Sequence, residues 1–224
     1  MTSTDRFDGW SSLPSARREV LTSRIVLVGA ESTGKTTLTR DLVDHYRALG
    51  GIWANTLWVS EFGRDYTVLK IAETAPGFDS PATCFRSADW SPDDFAVIAL
   101  EQQRLENAAA GAGSPVLFCD TDALATQIWE RRYLGNESTA ARDALPVLPA
   151  RALYLLTDHR DVAFTQDGIR DGEQFRPTMT QWFVDELTLL GERGQFVHGN
   201  REDRLAESIG LVDAVLAERS AQLD

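Results

Sequence analysis

Short unbroken apolar runs alternate along the chain with longer amphipathic stretches, a pattern that predicts buried strands separated by helices. Ile25 to Val28 is the first run. Leu38, Leu42 and Val43 follow it at helical spacing, so a strand, a loop and a helix from Thr36 to about Ala48 are expected, the helix stopping at Gly50 and Gly51. Ile52 to Val59 predicts a second strand, and Ser60 to Lys70 leads away from it into an irregular stretch over residues 72–92. Ser91-Pro92-Asp93-Asp94 then marks a helix start, with Ser as N-cap, Pro at the first position and Asp at the third. Phe95, Ile98 and Leu105 line one face of this helix, which Gln102, Gln103 and Arg104 interrupt, and it ends near Ala110. Val116 to Cys119 predicts the third strand, Ala152 to Leu156 the fourth, and Phe196 and Val197 the centre of a fifth. Helices are expected from about Asp122 to Tyr133, from Pro177 to Leu190 and from Arg201 to Ala217, the last with Leu205, Ile209, Val212 and Leu216 on one face. Strands alternating with helices imply an α/β fold with a parallel sheet covered on both faces.

The loop after the first strand carries chemistry. Gly29, Gly34, Lys35 and Thr36 have the spacing G-x-x-x-x-G-K-[ST], in which the glycines let successive N–H groups turn inward around a phosphate chain. Lys35 brings a positive charge to the β- and γ-phosphates, and Thr36 places a hydroxyl where Mg²⁺ is held. Glu31, Ser32, Thr33 and Thr37 complete the expected nucleotide-binding loop.

Ligands in such a sheet bind beyond the carboxyl ends of the strands. Strand two delivers Glu61 and Arg64 there, and strand three delivers Asp120 and Asp122. Asp120 is the candidate metal carboxylate with Thr36, although a helix N-cap is the alternative. Glu61 could orient or deprotonate an acceptor hydroxyl, and a structural Glu–Arg pair fits it nearly as well. Arg170 and Arg176 stand in a polar segment over residues 158–176, where a lid could close on the phosphates or a charged loop could simply be solvated. Asp167 and Gln103 join Glu61, Arg64 and Asp122 as candidate acceptor contacts. Trp53, Trp58, Trp90, Trp129 and Tyr133 could stack on a flat ring, though large aromatics more often fill cores.

Composition narrows the function classes. The chain has 224 residues, enough for one well-buried domain, with an N-terminal tail over residues 1–21 and the domain over 22–220. A net charge of −12 opposes a general affinity for nucleic-acid polymers or anionic membranes, while small phosphates remain allowed. Two cysteines, Cys84 and Cys119, make no disulfide framework and fit a reducing cytoplasm. No apolar run reaches the roughly 18 residues of a spanning helix, so neither membrane insertion nor an export signal is expected. His45, His159 and His198 lack ligand spacing, so no structural zinc is expected.

Taken together, GAESTGKTTL, EFGRDY, CDTDALATQ and QDGIRDGEQFR resemble the nicotinamide riboside kinase domain of the NadR proteins over about Arg24 to Ile209. The resemblance implies a P-loop NTPase three-layer sandwich with a five-stranded parallel sheet. It also implies ATP and Mg²⁺, and phosphorylation of the ribose 5′-hydroxyl of nicotinamide riboside. On the same analogy Gly199, Asn200 and Arg201 lie near the adenine, and Lys35, Asp120, Glu61, Arg170 and Arg176 form the catalytic set. Three departures stand out: Ser60 where the family commonly has Trp before the Glu, Phe164 where it has Trp in the lid entry, and no H-x-G-H type adenylyltransferase motif. A nucleotide-sensing regulatory ATPase module, or a kinase of another nucleoside or nucleotide, would carry the same phosphate loop. None of the motifs specifies an oligomeric state.

Overall fold

The computed structural model describes residues 7, 9–74, 89–160, 162–165 and 172–220. In chain order the main elements are α1 (Ser15–Leu21), β1 (Ser23–Val28), α2 (Lys35–Ala48), β2 (Leu57–Val59), α3 (Phe62–Thr74), α4 (Pro92–Ala112), β3 (Val116–Asp120) and α5 (Ala123–Leu134). The short α6 (Ala140–Ala144) follows, then β4 (Leu153–Thr157), α7 (Arg176–Leu190), β5 (Gly194–Val197) and α8 (Arg201–Ser220). The five strands are parallel in the order β2-β3-β1-β4-β5.

Strand alternation builds two cores. Ile25, Leu27, Phe118, Leu153 and Leu155 point to one face of the sheet, where α2 and α8 contribute Leu42, Tyr46, Val212 and Leu216. Val26, Val28, Leu117, Cys119, Tyr154 and Leu156 point to the other, under α5 and α7, which contribute Leu124, Ile128, Met179 and Phe183. Both faces of the central strands are thus dry, as their unbroken apolar runs require. A strand order that reverses at β1 opens a crevice beyond its carboxyl end, beside β3, and the phosphate loop sits there. Among the described residues no helix is long and apolar enough to cross a membrane.

Three boundaries differ from the sequence expectation. Residues 51–55 form a 3-10 turn rather than the start of a strand. Gly50 and Gly51 have φ of +71° and +58°, which turns the chain so that Trp53 packs against Tyr46 at 5.8 Å between ring centroids. A short apolar run fits either element, and here tertiary packing decides. Residues 62–74 are helical, as is α6, for which no element was expected. The start of α6 is held by the buried carboxylate of Glu130, which accepts from the N–H groups of Ala140 and Ala141 at 2.7 and 3.0 Å.

Candidate active site

The phosphate loop forms because its backbone angles are open to few residues. Gly29 has φ +147°, and a Cβ there would lie 2.6 Å from Thr157 Oγ1 and 2.7 Å from its carbonyl. Gly34, at φ +88°, caps α2, while Ser32 carries φ +56° without being glycine. Thr33 is buried and locks the turn from inside through Ala30 O at 2.9 Å and Thr157 Oγ1 at 2.6 Å. The buried Lys35 ammonium donates to the carbonyls of Gly29 and Ala30 at 3.0 and 2.8 Å. Neutral carbonyls are weaker partners for an ammonium than phosphate oxygens are.

Asp120 ends β3 directly beside the start of α2. Its Oδ2 accepts from Thr36 Oγ1 at 2.5 Å, and its Oδ1 is buried with no hydrogen-bond partner among the described residues. Burial raises the Asp120 carboxyl above its ordinary value, against the pull of Lys35 and of the Thr36 hydroxyl. A buried carboxylate oxygen left over beside a threonine hydroxyl is the donor set that Mg²⁺ and its waters fit.

One cleft joins this loop to an aromatic wall. It holds about 860 Å³, its open mouth included, and runs from Glu31 through Thr37 past Glu61, Arg64 and Thr67 to Trp90, Phe95, Ile98, Trp129 and Tyr133. The wall is itself ordered by ring contacts: Tyr133 stacks with Trp90 at 5.7 Å and with Trp129 at 6.2 Å. Of the five aromatics singled out from the sequence, Trp53 belongs to the core and Trp58 lies under the Arg40 guanidinium. The other three face the cleft. A smaller recess at the ends of β4 and β5 is lined by Asp158, Arg160, His198, Gly199 and Arg204. Burial opposes ionisation of Asp158, but the Arg160 side chain, donating at 2.8 and 2.6 Å, holds its carboxyl down to about 2.

Several candidate residues sit elsewhere. Asp122 turns away from the cleft: Thr121 takes φ +70°, so successive carboxylates point to different sides of the strand end. Asp122 is fully buried, accepts from Ala125 N at 3.1 Å as the N-cap of α5, and bonds Tyr154 OH at 2.8 Å and Arg151 Nε at 3.2 Å. Gln103 is drawn into the same cluster, accepting from Arg151 Nη2 at 3.2 Å and donating to Asn107. Neither lines the cleft, which corrects their expected place among acceptor contacts. Asn200 accepts from the N–H groups of Glu202 and Asp203 at the start of α8, and Arg201 makes a two-pronged pair with Asp41 at 2.7 and 2.6 Å. Gly199 lines the smaller recess; Asn200 and Arg201 do not.

Arg176 is buried and serves the backbone. It donates to Val162 O at 3.0 Å, His159 O at 2.9 Å and Ser32 O at 3.4 Å, with Phe164 5.8 Å from its guanidinium. Ser32 Oγ in turn accepts from Thr165 N at 2.7 Å, so residues 162–165 are fastened to the phosphate loop. Arg170 and Asp167, within the expected lid over residues 158–176, lie outside the described residues.

Sequence reasoning missed two arginines that organise the loop. Arg204 is buried and ties three segments together, donating to Thr33 O at 2.8 Å, Gly199 O at 2.9 Å and Asp158 O at 3.1 Å. Arg132 lies 3.5 Å from Glu31, with the Trp129, Tyr133 and Phe175 rings 5.0–5.3 Å from its guanidinium. Neither an arginine in the first turn of α8 nor one in the last turn of α5 gives a local signal of such a role.

Comparison with known proteins finds relatives in sequence and in fold. The trifunctional NAD biosynthesis/regulator protein NadR of Salmonella typhimurium is 24% identical over 217 residues, and that of Escherichia coli K12 is 28% identical over 222. Each match covers 95% of this chain but 47% of the relative, so the chain spans about half the length of those proteins. A crystal structure of NadR protein in complex with NR superposes with a TM-score of 0.67 at 20% identity, over 94% of this chain and 56% of that one. Thymidylate kinase from Ehrlichia chaffeensis shares the fold at a TM-score of 0.54 and 14% identity, over 85% and 98% of the two chains. The resemblance to the NadR proteins and the P-loop NTPase sandwich expected from the motifs are both borne out. With residues 24–204, which contain the whole cleft, matching the AAA domain model, the chain belongs to the AAA domain family.

Proposed function

We propose that the chain is an ATP- and Mg²⁺-dependent kinase that phosphorylates the ribose 5′-hydroxyl of nicotinamide riboside. The observation that carries this reading is the single cleft in which a phosphate loop, a carboxylate and an aromatic wall follow one another: Lys35, then Glu61 with Arg64, then Trp90, Trp129 and Tyr133. A nucleoside laid along it has its flat base on the rings and its 5′ end toward the loop. Relatives described as NAD biosynthesis proteins, and a neighbour solved with NR, support the choice of acceptor. A neighbour solved with NAD and AMP-PNP supports ATP as the donor.

In this reading Lys35 and the loop N–H groups hold the β- and γ-phosphates, and offset charge as it shifts toward the leaving oxygen. Thr36 and Asp120 would hold Mg²⁺, whose positive charge screens the phosphate oxygens when it is bound. Glu61 orients the acceptor hydroxyl and takes its proton, since Asp122 is committed to the α5 cap and Asp120 to Thr36. Arg64 sits on the same wall for the ribose or the transferring group. Arg176 contributes indirectly, by holding residues 162–165 against Ser32. The adenine occupies the recess at Asp158, His198 and Gly199, in a cytoplasmic setting that suits the buried free thiol of Cys119.

Glu61→Gln tests the assignment, because it keeps the shape and removes the base. Transfer to nicotinamide riboside should fall by about 10²–10⁴-fold, with binding of an ATP analogue unchanged by calorimetry. Wild-type transfer in this variant would move the proton away from Glu61.

A further inference from the structure

The cleft has a second support that the proposed chemistry does not use. Asp94 stands at the third position of α4, where a carboxylate needs only one backbone partner to cap the helix. It has four. Asp94 Oδ2 accepts from Ser91 N at 2.7 Å, Ser91 Oγ at 2.8 Å and Lys70 Nζ at 2.7 Å, and Oδ1 accepts from Tyr66 OH at 2.6 Å. Tyr66 and Lys70 belong to α3 and Ser91 precedes α4, so one carboxylate joins the two helices across residues 75–88. Burial opposes ionisation of Asp94, but the bonds from Lys70, Tyr66 and Ser91 prevail and hold its carboxyl down to about 2.

Its partners are neighbours of cleft residues. Arg64 and Thr67 line the cleft from α3, either side of Tyr66 in sequence. Trp90 is bonded to Ser91, and the Lys70 ammonium lies 5.5 Å from the centre of its ring. Phe95, next to Asp94, packs against Trp90 at 5.3 Å and also lines the cleft. None of these residues belongs to the phosphate loop. We infer that Asp94 is a positioning residue for the acceptor half of the cleft, holding the α3 wall and the Trp90 ring at the spacing a nucleoside base and ribose require.

This assignment rests on the kinase reading and makes a claim that reading does not contain: losing Asp94 disturbs the acceptor and spares ATP. Asp94→Asn keeps the volume but turns an amide toward the Lys70 ammonium or the Ser91 donors. In steady-state kinetics with the full chain, KM for nicotinamide riboside should rise by about 10- to 100-fold, while KM for ATP stays within about twofold and kcat within about threefold. Asp94→Glu should recover part of the loss. Tyr66→Phe, which removes a single hydroxyl, should move the same constant in the same direction by a smaller factor. A merely structural cap would instead lower the active fraction, reducing kcat with both KM values unchanged. An active wild-type enzyme whose acceptor KM is unchanged in Asp94→Asn, or whose two KM values rise together, overturns the inference alone. A wild-type chain that transfers phosphate to no nucleoside overturns the kinase reading and the inference with it.

Discussion

Lys35→Met is expected to reduce kcat for phosphoryl transfer by about 10²–10³-fold or more, the scale of losing a preorganised charge at a transferring group. Methionine keeps the unbranched stem that fills the space under the loop, so the change isolates the ammonium. Because that ammonium also holds the carbonyls of Gly29 and Ala30, about 1.5–3 kcal/mol of stability should be lost with it, the usual range for hydrogen bonds to a charged group. Activity therefore falls much further than the fraction folded. Turnover at the wild-type rate, measured by coupled assay on protein of verified melting temperature, would remove Lys35 from the chemistry.

The second large effect concerns stability. Arg151 is buried between Glu106 at 2.8 Å and Asp122 at 3.2 Å, with Arg24 3.9 Å from the same Glu106. Burial pushes the Glu106 carboxyl up, and the neighbouring Arg151 guanidinium is the strongest pull the other way, so the ionised form of Glu106 depends on its cation rather than on water. Arg151→Met leaves two buried carboxylates short of a cation and should cost about 3–5 kcal/mol. In urea the midpoint should fall by about 1 M or more with the slope unchanged. Adding Glu106→Gln to the variant should return part of the loss, since removing both partners avoids an uncompensated charge. An unchanged midpoint in Arg151→Met would show that the cluster contributes nothing net.

The phosphate loop was legible in the sequence because its chemistry is local: glycines at fixed spacing, a strand before and a helix after. Asp120 was legible for a similar reason, since a strand of known direction in a parallel sheet delivers its last residue to the ligand edge. Asp122 was not, because its direction depends on the positive φ of Thr121, a backbone conformation that no propensity announces for threonine. The aromatic wall was half legible. Trp53, Trp90 and Trp129 look alike as residues, and only the turn at Gly50 and Gly51 sends Trp53 into the core. Arg132, Arg151 and Arg204 were illegible because each joins segments far apart in the chain, where sequence gives no sign of which carbonyl or carboxylate will be opposite. The start of the second strand was misread for a third reason: Ile52, Trp53 and Ala54 suit a 3-10 turn as well as a strand, and packing of Trp53 decided between them, leaving the strand at Leu57–Val59.

The central claim is that ATP and a nucleoside react with each other in one cleft. Purified chain incubated with ATP, Mg²⁺ and nicotinamide riboside, and followed by phosphorus NMR and mass spectrometry, tests it most directly. The account predicts one nicotinamide mononucleotide formed for each ADP, no product from the 5′-deoxy analogue, and little release of inorganic phosphate. ADP and inorganic phosphate appearing in equal amounts, with the nucleoside recovered unchanged, would contradict it.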